Sequence, residues 1–158
     1  MRLFLLRHGQ AEPHKIPDET RELTEKGRHQ TAEIAKHYLV DTDWNAIWVS
    51  PFVRAQQTAQ IVLENIKKKH AHSKLKLTTI NGITPDDSPK RALDLFAGHE
   101  TETLLIISHQ PFLGALAGLL VYGNLQSALD IHTSGLIELN MPVIGIGQAE
   151  LVYTVAPK

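Results

Sequence analysis

Apolar positions fall into two recurring patterns along the chain. Residues 3–6 and 103–107 are short unbroken apolar runs, the pattern of strands buried on both faces, and residues 46–49 form a third. Residues 75–80 alternate, as a half-buried strand does. Between these runs the spacing turns helical. Thr24 caps a predicted helix over 24–39, with Ile34, Ala35, Tyr38 and Leu39 recurring on one side and Gly27 costing propensity in the first turn. Pro51 opens a second helix to residue 69, with Ala55, Ala59, Val62, Leu63 and Ile66 on one side. Three lysines, Lys67, Lys68 and Lys69, end it, where cations suit the helix dipole. Ser88-Pro89 starts a single helix through residue 97 with Gly98 as its stop, and Pro111 starts a short apolar helix to residue 120. Residues 135–140 and 149–155 read as two closing strands, hairpinned around 142–147. Strands alternating with helices predict a three-layer α/β/α sandwich around a mostly parallel sheet, with an antiparallel C-terminal edge. With no repeat, low-complexity tract or linker, residues 1–158 read as one domain.

Composition narrows the function. A chain of 158 residues holds a substantial core. A formal charge of −1, with no basic face or aromatic platform, argues against nucleic acid and acidic membranes as partners. The absence of cysteine removes disulfides, thiolate nucleophiles and Cys-based zinc sites together. The N-terminal apolar run is too short for a signal-peptide core, and no stretch reaches the length of a membrane span. A soluble, cytoplasmic monomer is expected.

In an open α/β sheet, sites form beyond the carboxyl ends of the strands. After the first run comes Arg7-His8-Gly9-Gln10, after the 46–49 run comes Ser50-Pro51-Phe52-Val53-Arg54, and after the 103–107 run comes Ser108-His109-Gln110-Pro111. One rim thus receives two arginines and two histidines. Two guanidinium forks can clamp the oxygens of a phosphoryl group, and a neutral imidazole can attack phosphorus and carry it covalently. A second imidazole can donate hydrogen bonds to the oxygens as the transition state develops. Gly9 is expected to let the backbone approach the phosphate, and Arg54 lies in a helix first turn, where free N–H groups also favour an anion. Taken singly, each residue has a plain structural reading: a hydrogen-bonded histidine after a strand, a solvated arginine on a helix.

The segments "LLRHGQ", "SPFVRAQQT" and "ISHQP", joined by "TRELTEKGRHQ" at residues 20–30, resemble the signature segments of the histidine phosphatase (phosphoglycerate-mutase-like) superfamily. The short chain and "GITP" at 82–85 look most like the SixA-type phosphohistidine phosphatases. The resemblance implies His8 as nucleophile, with Arg7, Arg54 and His109 completing a phosphate pocket and Arg21 as a further phosphate or substrate contact. It implies a phosphorylated protein as partner, with phosphorelay phosphotransfer domains as the class. One departure stands out. Many members carry a glutamate general acid after the third strand, whereas no glutamate occurs here between Glu64 and Glu100. Asp86 or Asp87 could substitute, though both also read as turn residues, and the SixA-type subgroup is similar in lacking the acid. The same stretch is too short for a lid, so an open pocket is expected.

The remaining histidines read as bland. His70-Ala71-His72 lacks a third metal ligand at matching spacing, and His14, His29, His37 and His99 read as solvated. No metal or cofactor is required, because arginines supply the charge a metal would. The expectation is a phosphohistidine phosphatase working through a phospho-His8 intermediate. Its rivals are a small-molecule phosphomonoesterase on the same scaffold, a mutase, and a non-catalytic phosphoprotein-binding module.

Overall fold

A computed structural model describes all residues, 1–158. The elements in chain order are strand β1 (Arg2–Arg7), helix α1 (Glu25–Ile34), β2 (Ala46–Val49), α2 (Val53–Lys69), β3 (Leu77–Thr79), α3 (Pro89–Ala92), β4 (Thr103–Ser108), α4 (Phe112–Tyr122), β5 (Leu136–Asn140) and β6 (Glu150–Val155). One six-stranded sheet runs in the order β3-β2-β4-β1-β5-β6. The pairs β3–β2, β2–β4 and β4–β1 are parallel, while β5 and β6 close the C-terminal edge in antiparallel fashion.

The unbroken apolar runs have a direct cause. Alternate residues of β1 enter opposite cores: Leu3 and Leu5 pack with Ala92, Phe96, Leu113 and Leu116 of the α3 and α4 layer. Phe4 and Leu6 pack with Ile34, Ala55, Ala59 and Val62 of the α1 and α2 layer. The sheet is therefore covered on both faces, as the sandwich reading requires. The hydroxyl of Thr24 caps α1 by accepting from the Gly27 N–H at 3.0 Å.

Several sequence expectations need correction. The helix predicted over 24–39 changes winding at Ala35, and Ala35–Leu39 form a π-helical stretch in which Val40 N–H reaches the Ala35 carbonyl. The wider turn keeps Leu39 in the core and swings Tyr38 out to solvent. The second helix starts at Val53, not Pro51, because the Ser50 hydroxyl accepts from the Phe52 N–H and holds the intervening turn. The single helix expected over 88–97 is a four-residue α3 followed by a 3-10 turn, Leu93–Phe96. That tighter winding brings Phe96 to stack on Trp48 of β2, with ring centroids 6.0 Å apart. β3 is shorter than the alternating run, since as an edge strand it pairs only with Ile47–Val49 of β2. No helix is long and apolar enough to cross a membrane.

Candidate active site

Register brings the three signature segments together. Arg7 pairs with Ser108 across β1 and β4, and Val49 pairs with Ile107 across β2 and β4. The residues that follow, His8, Ser50 and His109, therefore leave the sheet side by side. The His8 N–H donates to the Ser108 carbonyl and the Ser50 N–H to the Ile107 carbonyl, each at 3.0 Å, so the ladder extends one step into the loops. The His8 and His109 rings lie 5.1 Å apart.

The state of His8 follows from its contacts. Its Nδ1 is 2.8 Å from the Gly9 carbonyl, and a carbonyl only accepts, so Nδ1 carries the proton. The lone pair is then on Nε2, which receives the Arg54 Nε–H at 3.3 Å. Burial lowers the His8 pKa to about 4; the Gly9 hydrogen bond opposes this, while Arg54, Arg7 and Arg21 push the same way. The ring is 5% exposed. Backbone contacts hold it from both sides, because the His8 carbonyl accepts from the Ser134 N–H at 3.1 Å. Ser134 takes φ = 56°, an uncommon left-handed conformation for a residue with a side chain, and its hydroxyl is 2.9 Å from that of Thr31 on α1. The Gly9 N–H donates to Thr58 Oγ1 at 3.0 Å, and Thr58 in turn donates to the Arg54 carbonyl at 2.8 Å, tying the His8 loop to the start of α2.

Gly9 itself needs a different account from the expected one. A Cβ there would sit 2.8 Å from the Gly27 carbonyl oxygen and from Thr31 Oγ1, so its missing side chain lets the loop lie on α1. Gly27 answers from the other side, where a Cβ would come within 2.1 Å of the Gln10 carbonyl. The poor helix former in the first turn of α1 is the surface on which this loop rests.

Around His8 the charged groups are ordered. Arg54 is 3% exposed and spends its guanidinium on three partners: His8 through Nε, the Asp18 carbonyl through Nη1 at 2.9 Å, and Asp18 Oδ2 through Nη2 at 3.0 Å. Arg21 donates through Nε to Asp18 Oδ1 at 2.9 Å and through Nη1 to the Glu12 carbonyl at 3.0 Å. Burial pushes the Asp18 carboxyl up, but its bond to Arg54 and the charges of Arg54 and Arg21 outweigh this and hold it below the ordinary range. Arg7 donates through Nη1 to the Ile131 carbonyl at 2.9 Å. Its Nε is buried with no partner, and so is Nδ1 of His109. His109 is fully buried, with Nε2 2.7 Å from the Ser50 hydroxyl and its ring 4.9 Å from that of Phe52. Burial, then the neighbouring His8 and the arginines, lower its pKa to about 2. Two neutral imidazoles thus stand among three guanidinium groups, with two buried nitrogens, Arg7 Nε and His109 Nδ1, that have no partner. Buried polar atoms without partners are rare, and a tetrahedral oxyanion would satisfy both.

The structure therefore gathers Arg7, His8, Arg21, Arg54 and His109. The Asp87 carboxylate accepts from the Thr84 N–H and hydroxyl at 2.8 and 2.7 Å, closing its own turn, while Asp86 is exposed. His99 is half-buried, with Nδ1 2.7 Å from Glu102 Oε2 and the ring edge-on against Trp48. Sequence reasoning missed Asp18, Ser50, Thr58 and Ser134. Ser50 and Thr58 stand inside a recognised segment, and Asp18 is an acid three positions before Arg21. Nothing in the local pattern marks Ser134.

The histidine phosphatase superfamily (branch 1) matches residues 3–81. A phosphohistidine phosphatase SixA homolog of Haemophilus influenzae is 31% identical over 125 residues, covering 73% of this chain and 74% of that protein. A mitochondrial serine/threonine-protein phosphatase Pgam5 of Drosophila pseudoobscura pseudoobscura is 37% identical over 73 residues, which are 46% of this chain and 25% of that one. Among solved structures, the protein histidine phosphatase SixA complexed with tungstate superposes with a TM-score of 0.85 at 23% identity, over 99% of this chain and 97% of the other. A SixA described as a putative phosphohistidine phosphatase, from Agrobacterium tumefaciens, gives 0.77 at 22% identity, over 99% and 97%. With a family match running from β1 to just past β3, and that fold reproduced along nearly its whole length, this chain belongs to the histidine phosphatase superfamily, on the SixA-like side, and is a phosphatase.

Proposed function

We propose that the protein removes the phosphoryl group from phosphohistidine on a partner protein, by way of a covalent phosphohistidine at His8, and that residues 1–158 form a single histidine phosphatase domain. The observation that carries this reading is the tautomer of His8: proton on Nδ1 against the Gly9 carbonyl, lone pair on Nε2 beside Arg54. Arg7, Arg54 and Arg21 hold the phosphoryl oxygens. His109 donates through Nδ1–H, because Ser50 accepts from Phe52 and is free to donate its own proton to His109 Nε2.

The His8 Nε2 lone pair attacks phosphorus in line. The P–N bond to the substrate's imidazole breaks, and its electron pair returns to the departing ring nitrogen. The substrate's other ring nitrogen already carries a proton, so the leaving group is neutral imidazole. In the intermediate, His8 bears phosphorus on Nε2 and a proton on Nδ1, a cationic ring whose N–H rests on the Gly9 carbonyl. Water then attacks phosphorus, and His8 leaves as neutral imidazole by the same logic, with the water's proton carried off on the phosphate product. Neither half-reaction needs a general acid in the pocket, which agrees with the engagement of Asp87 elsewhere. The three arginines supply positive charge, so no metal or cofactor is required. Support for a protein substrate comes from the SixA relatives, and phosphotransfer domains remain the favoured class of partner.

The test compares substrates. Phosphohistidine should turn over fast, aryl phosphates slowly, and phosphoserine hardly at all, since expelling an alkoxide without an acid forgoes roughly 10²–10⁴-fold. Comparable kcat/KM for phosphoserine and phosphohistidine peptides would overturn the reading in favour of an ester phosphatase.

A further inference from the structure

The reaction above needs a protonated distal nitrogen on both imidazoles. For His8 the chain provides its acceptor, the Gly9 carbonyl at 2.8 Å. The substrate's ring enters the same field of arginines that, together with burial, holds His8 and His109 neutral. Guanidinium groups beside the ring favour loss of its distal proton, and without that proton the leaving group is imidazolate. A phosphohistidine phosphatase built on three guanidinium groups therefore needs an acceptor for the substrate's N–H as well.

We propose that the Asp18 carboxylate is that acceptor, and that it is a specificity-determining residue for phosphohistidine over phosphate esters. The inference rests on the phosphohistidine reading. Its geometry is specific. Arg54 touches the nucleophile through Nε, and the far edge of the same guanidinium reaches Asp18 Oδ2. Asp18 thus stands one guanidinium beyond His8, on the solvent side, with a side chain 37% exposed against 3% for Arg54. Each carboxylate oxygen accepts a single hydrogen bond from the chain, Oδ1 from Arg21 and Oδ2 from Arg54, which leaves lone pairs for a ligand. Of the acids near these arginines, Asp18 alone is hydrogen-bonded through its carboxylate to Arg54 and Arg21, whereas Glu19 and Asp130 act on Arg54 and Arg7 through space. For an ester the same carboxylate is adverse, since the departing oxygen gains negative charge and offers no N–H. One residue would then favour one leaving group and oppose the other.

The test measures kcat/KM for a phosphohistidine peptide and for p-nitrophenyl phosphate in the full chain, in Asp18→Asn and in Asp18→Glu. Asp18→Asn keeps shape and an acceptor oxygen for Arg54 but removes the charge. The ratio of phosphohistidine to p-nitrophenyl phosphate turnover should fall about 10-fold or more, the scale of a lost proton-handling group. Asp18→Glu should recover part of it, and inorganic phosphate should inhibit Asp18→Asn at least as tightly as the parent. Equal losses on both substrates, with weakened phosphate inhibition, would show that Asp18 only positions Arg54 and would overturn the proposal, as would an unchanged ratio. Failure of the unaltered protein to act on phosphohistidine is a separate result, and it would overturn the reading beneath.

Discussion

In the proposed reaction, His8 and Arg54 divide the work at the level of single residues. Burial keeps the His8 ring neutral down to about pH 4, and the Gly9 carbonyl selects which nitrogen bears the proton. At pH 6 a nitrogen-detected NMR spectrum should show His8 as a neutral, Nδ1-protonated imidazole; a cation, or a proton on Nε2, would contradict the attack geometry. Arg54 contributes a fork and not merely a charge, since it reaches His8 and Asp18 at once. Lysine keeps the cation but has a single flexible ammonium, so Arg54→Lys should lower kcat/KM on the order of 10²-fold. Near-parental rates would place Arg54 outside the phosphoryl pocket.

Elements decide whether these residues meet. The loop after β1 rests on α1 through two facing glycines, Gly9 and Gly27. Gly27→Ala drives a Cβ to within 2.1 Å of the Gln10 carbonyl, backbone that cannot swing away. It should destabilise by about 2–3 kcal/mol in urea unfolding, the cost of overpacking, and disturb His8 besides. Gly82→Ala has open space around it and only the cost of φ = 94°, so about 1 kcal/mol is expected there. Much of this scale was legible in the sequence. The runs at 3–6 and 103–107 read directly as doubly covered strands, because each residue enters one core or the other. The three rim segments could be placed because each follows a strand. What escaped was long-range. Gly27 looked like a weak helix residue until Gln10 was seen against it, and Tyr38 looked apolar until the π-helical turn carried it outward. Asp18 sits in a loop with no period, and Ser134 reaches His8 from 126 positions away, so no local pattern marks either.

For the whole molecule, the two buried neutral histidines carry a stability signature. Their pKa values fall from an ordinary 6.5 to about 4 and about 2, so between pH 6.5 and 4 the unfolded chain binds protons that the folded chain does not. Stability then rises with pH across that window and is lost on acidification. Urea unfolding should show uptake of nearly two protons at pH 5 from this pair, and a protein as stable at pH 5 as at pH 7.5 would contradict the burial of both rings. Charge in the site comes from arginine, so exhaustive chelation should leave the phosphatase rate unchanged, and a loss restored only by a divalent ion would assign a metal to the reaction. The central claim is that phosphorus passes through His8. Brief exposure to a ³²P-phosphohistidine protein, an alkaline quench and peptide mapping test it most directly. Acid-labile, base-stable label should lie on His8 alone and vanish in a folded His8→Ala variant, whereas label on another residue, or label that survives that substitution, would contradict it.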